Sequence, residues 1–118
     1  MLIKKKVSNL NLSAMLLLQR QDDLIEICKY WGDKYMSTVA MEECAEMIQV
    51  ISKIKRYHTK PEHKDHLTEE VADVLICIAE LMIHDYLNSD EVAEYINRKI
   101  DRSLKRIEIH SKGGGFHE

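Results

Sequence analysis

Five acidic residues lie in two short segments whose neighbours are mostly apolar: Glu42, Glu43 and Glu46 in MEECAEMIQV, and Glu70 and Asp73 in EEVADVLICIAELMI. Residues three apart share a helix face, so Glu43 pairs with Glu46 and Glu70 with Asp73, and two antiparallel helices can bring the four carboxylates together. At about 100° per residue, Cys44, Met47, Ile48, Ile51 and Ile54 form one apolar stripe. Glu43 and Glu46 lie beside it with Val39 and Val50, whereas Glu42 falls with Gln49 and Lys53 on the solvated side. Ionised carboxylates in such surroundings are costly unless they are paired or bind a metal. Four of them repel one another unless a cation stands between. A set of oxygen donors without histidine or cysteine suits Mg²⁺ or Mn²⁺ better than Zn²⁺. Salt bridges to arginine or lysine are the structural alternative.

The elements that must position these acids are helices. The chain has one proline and four glycines, three of them in the terminal KGGGFHE, and so few turn residues predict an all-α fold with few connections. Four helices are expected near residues 12–31, 37–57, 66–86 and 89–110. Gly32 would close the first, Ser37 or Thr38 cap the second, and Asn88, Ser89 or Asp90 cap the fourth. Pro61 breaks the chain in HTKPEHKDH, which places His58, His63 and His66 in a solvated loop. From Val71 to Ile83 only Asp73 and Glu80 interrupt the apolar run, so the third helix should be central and buried, with Asp73 desolvated.

Composition bounds the rest. A chain of 118 residues supports one modest core. Residues 1–112 are expected to form a single domain and 113–118 a disordered glycine-rich tail. A formal net charge of -3 argues against a polybasic nucleic-acid binder. The apolar stretch from Ala14 to Leu18 is too short for a signal peptide, and no run approaches the roughly 20 apolar residues of a membrane span. Cys28, Cys44 and Cys77 are odd in number and widely spaced, and read as reduced core thiols of a cytoplasmic protein.

Glu42-Glu43-x-x-Glu46 followed by Glu70-x-x-Asp73 resembles the MazG-like all-α nucleoside triphosphate pyrophosphohydrolases, whose signature is EExxE, a spacer, then ExxD. KYWG at residues 29–32, MEECAEMIQVISKIKR at 41–56, TEEVADVLICIAELM at 68–82 and NRKIDRSLKR at 97–106 resemble the family as well. The resemblance implies a four-to-five-helix bundle completed by oligomerisation, as a homodimer or homotetramer. It implies cleavage of a nucleoside triphosphate to the monophosphate and pyrophosphate, in house-cleaning or nucleotide-pool control, with no membrane or nucleic-acid partner. Glu43, Glu46, Glu70 and Asp73 would then hold Mg²⁺, and Glu42 would be a further ligand or a helper for the attacking water, which makes Glu42 and Glu43 the catalytic pair. Asn97, Lys99 and Arg102 match the phosphate-binding segment, although Ser103 stands where some relatives have a second arginine. Trp31 falls near the pocket, where its ring can stack on a nucleobase or pack in the core. The family includes enzymes for several nucleotides, and the motif does not choose among them. A ferritin-like di-iron bundle would need Glu-x-x-His, which does not occur. The alternative of another class is a non-enzymatic helical adaptor with structural carboxylates, binding nucleic acid through Lys4 to Lys6 and the fourth helix.

Overall fold

The computed structural model describes residues 6–8, 10–57 and 60–113. Lys4, Lys5, His58 and the tail from 114 onward lie outside the described residues. Among the described residues, five helices of ten residues or more follow in order: α1 Leu10–Gln19, α2 Gln21–Trp31, α3 Asp33–Tyr57, α4 Pro61–Ile83 and α5 Ser89–Gly113. The fold is all-α as expected, and among the described residues there is no strand. Two compact units divide the chain, Met1–Tyr86 and Leu87–Glu118.

In the first unit the expected single helix from 12 to 31 is two helices, parted at Arg20 with φ −100° and ψ 16°. Hydrogen bonds nevertheless run through this point: the Arg20 N–H donates to the Leu16 carbonyl, and the Leu24 N–H to that of Arg20. The Arg20 side chain turns to Asp23 in the first turn of α2, donating from Nε to Oδ2 at 2.5 Å. Gly32 then joins α2 to α3 alone. Its φ of 82° and ψ of 166° fall where only glycine is comfortable. Its N–H donates to Cys28 and its carbonyl accepts from Met36. Because one residue completes both helices, α3 begins at Asp33, four residues before the expected start. Ser37 and Thr38 are therefore not caps, and their hydroxyls donate back to the Lys34 carbonyl.

The start of α4 is also earlier than residue 66. Proline at the first helical position loses no hydrogen bond and arrives with a helical φ, and Lys60 before it is extended at φ −98° and ψ 153°. So Pro61 opens the helix rather than breaking it, and His63 and His66 stand on α4, not in a loop. The helix ends at Ile83, with Asp85 in the left-handed region at φ 62°. Tyr86 closes the unit by donating its hydroxyl to Asp33 Oδ2 at 3.3 Å. This contact ties the far end of α4 to the beginning of α3, so the two helices form an antiparallel pair.

Met36, Ala40 and Val50 are the buried residues of α3, and Leu24 and Cys28 are those of α2. The covered stripe of α3 is thus the 36, 40, 43, 47, 50 line. The expected stripe is centred about 55° round the helix from it and shares Met47 with it. There Ile48 is 64% exposed, Ile51 is exposed and Cys44 is an exposed thiol. The cause is simple: α3 carries two apolar faces, and the other helices of its own unit cover one. For the same reason α4 is not buried all round, since Val71, Ile76 and Ile78 remain exposed. No residue of α1 is buried.

The second unit contains α5. Asn88 is its cap, accepting at Oδ1 from the N–H groups of Asp90 at 2.8 Å and Glu91 at 3.3 Å. The helix runs to Gly113, and none of its residues is buried.

Candidate metal centre

Along the covered stripe of α3, Glu43 takes a place otherwise held by apolar residues, and Glu46 stands one turn further at its edge. Glu70 occupies the facing stripe of α4. One carboxylate oxygen from each of Glu43, Glu46 and Glu70 lies within 4.8 Å of the others. Asp73, the next turn of α4, lies against Glu43 and adds its charge and a side-chain hydrogen bond there. The structure therefore brings the four acids together from two helices, but their burial differs from expectation. Asp73 is half-buried, and Glu70 is the enclosed acid at 5% exposure.

Crowding shows in the electrostatics. Burial first, then the charges of Asp73 and Glu46, push Glu43 up to about 7. The Glu70 carboxylate is the main cause of an upward shift at Glu46. Glu43 Oε2 and Glu70 Oε2 are buried and accept from no N–H or hydroxyl group, so their compensation must come from a cation or from a proton shared among the acids. Among the described residues, the one basic side chain within ion-pair distance of the four acids is His66, with Nε2 3.3 Å from Glu70 Oε1. No lysine or arginine among the described residues of the first unit is paired with them. Converging hard oxygen donors with unpartnered lone pairs fit a divalent cation such as Mg²⁺ or Mn²⁺.

The other expected site residues are placed less closely. Glu42 is exposed, on the outer side of α3, and reaches the cluster as a charge acting on Glu46. Trp31 is half-exposed at the end of α2, stacked on Tyr35 with centroids 4.5 Å apart and edge-on to Tyr30 at 4.8 Å. Asn97, Lys99 and Arg102 are exposed residues of α5 in the second unit. Helical geometry sets Lys99 and Arg102 about 60° apart and Asn97 about 160° from Lys99, so the three do not share one face.

Two residues near the α3–α4 pair were not singled out by spacing. His66 stands one turn before Glu70, a pairing concealed by assigning the histidine to the loop around Pro61. Glu80 is 4% exposed, and burial raises its pKa while His84 opposes the shift. Glu80 in turn pushes Cys28 and Cys77 upward, adding to the larger effect of their burial. An apolar groove of about 380 Å³, lined in part by Leu16, Leu17, Leu24, Ile27, Leu75 and Ile76, includes none of the four carboxylates.

The family model described as the MazG nucleotide pyrophosphohydrolase domain matches residues 32–107, a stretch holding both acidic motifs and running through both units. No curated protein and no solved structure matches the chain.

Proposed function

The chain belongs to the MazG nucleotide pyrophosphohydrolase family, and from that membership we propose that it is a Mg²⁺-dependent enzyme, with Mn²⁺ as an alternative, cleaving a nucleoside triphosphate to the monophosphate and pyrophosphate. The observation that carries this reading is the convergence of Glu43, Glu46 and Glu70 within 4.8 Å, beside Asp73 and without lysine or arginine partners among the described residues of their own unit. These four residues would hold the cation, which when bound supplies neutralisation of the triphosphate and acidification of water. In the overall reaction a water oxygen joins the α-phosphorus, the bond to the α–β bridging oxygen breaks, and pyrophosphate leaves. Glu42, exposed and near enough for its charge to act on Glu46, would take the water's proton. Lys99 and Arg102 offer cations for the phosphates, Asn97 a polar contact, and Trp31 a stacking face for the base.

The same reading makes the two units one functional domain and the working form a homodimer or homotetramer. The three free cysteines accord with a cytoplasmic setting, and among the described residues no helix is long and apolar enough to cross a membrane. The deciding experiment is chromatographic product analysis over a panel of canonical and damaged nucleotides with Mg²⁺. Equal yields of monophosphate and pyrophosphate are expected, whereas orthophosphate alone, or no turnover of any nucleotide, would refute the proposal.

A further inference from the structure

Glu70 is the most enclosed of the four carboxylates, and its two oxygens have different surroundings. Oε1 lies 3.3 Å from Nε2 of His66, while Oε2 is buried and has no hydrogen-bond partner. The Glu70 side chain is 6% exposed and that of His66 48%, so the imidazole stands at the solvent edge of an otherwise enclosed carboxylate. This arrangement depends on where α4 begins. Proline at the first helical position starts the helix early enough for His66 to be one full turn ahead of Glu70, the spacing at which side chains on one face meet. Thr68, between them, turns its hydroxyl to the Lys64 carbonyl and does not compete for the carboxylate.

The terminal torsion of a glutamate is broad and nearly two-fold, so without a partner at Oε1 the carboxylate plane is weakly fixed. We propose that His66 is a positioning residue: by engaging Oε1 it orients the Glu70 carboxylate so that Oε2 is presented to the cation shared with Glu43 and Glu46. Outer groups that orient metal-binding side chains typically contribute about 10–100-fold to metal affinity. The inference rests on the metal reading above, but it concerns a side chain outside the converging carboxylates.

The test is a Mn²⁺ titration of the full chain, read by electron paramagnetic resonance as loss of the free-ion signal, for wild type, His66→Ala and His66→Gln. Metal-free thermal melting is measured in parallel. His66→Ala is expected to bind Mn²⁺ about tenfold or more weakly, with little change in metal-free melting. His66→Gln, which keeps an N–H donor within reach of Oε1, should recover most of the loss. Equal binding by wild type and His66→Ala would overturn the inference while leaving the metal centre intact. Equally weak binding by both variants, or a matching fall in their metal-free melting, would overturn it by making His66 a packing residue. A wild-type protein that binds no Mn²⁺ would overturn the metal centre itself and the inference with it.

Discussion

Asp73→Asn keeps the shape of a side chain whose charge presses on Glu43 and removes that charge. The metal-free variant should therefore melt at or above the wild-type temperature, because repulsion is relieved and no cation is left unpaired. Turnover should fall by about two orders of magnitude or more, the scale expected when several kcal/mol of metal-assisted stabilisation are lost. Marked destabilisation with unchanged Mg²⁺ affinity would return these acids to a structural role. Glu43 adds a dependence on pH. Its pKa is raised from 4.5 to about 7 in the folded chain, so the folded state holds the proton more tightly and is favoured on the acid side of that window. Metal-free stability should fall as pH rises from about 5 to about 7.5, and Glu43→Gln should flatten the slope. A metal-free melting temperature that climbs over the same range would contradict this. The acids were legible in the sequence because a carboxylate among apolar neighbours needs a compensating partner. His66 was not, because a proline inside a polar, lysine-rich stretch reads as a break until the helix is seen to start on it.

Helix boundaries depend on single residues, and two of them can be tested directly. Gly32→Ala meets nothing within 4 Å of the added carbon, so its cost is backbone strain alone, about 1–3 kcal/mol by chemical denaturation. A loss below about 0.5 kcal/mol would mean that the corner adjusts without strain. Asn88→Ala removes the acceptor for the Asp90 and Glu91 N–H groups and should destabilise the start of α5 by about 1 kcal/mol. Hydrogen exchange at those two amides should accelerate, and unchanged protection would show that the cap is dispensable. Gly32 and Asn88 announced themselves in the sequence because each has a specific backbone task. The division at Arg20 did not, since no glycine or proline marks it. Ser37 and Thr38 were misleading because a hydroxyl can serve the turn behind it as readily as a helix start.

The all-α class follows from scarce turn residues and helical spacing, but which apolar face is covered does not follow from spacing alone. On α3 both faces are apolar, and Met41 at 75% and Ile48 at 64% exposure belong to the side the other helices of its unit leave open. Together with the exposed leucines of α1, they predict self-association. Sedimentation at micromolar concentration should show a dimer or tetramer, whereas a well-folded monomer would sink that expectation. The uncovered face also gives the protein a built-in chemical label. Of its three thiols, Cys28 and Cys77 are buried, with Cys77 pushed up to about 11, and Cys44 alone is exposed, on the same side as Ile48. Alkylation requires an accessible thiolate. A maleimide should thus modify each dilute chain once, at Cys44, and increasingly spare it as concentration rises, turning the exposure of one sulfur into a count of how many chains have found a partner.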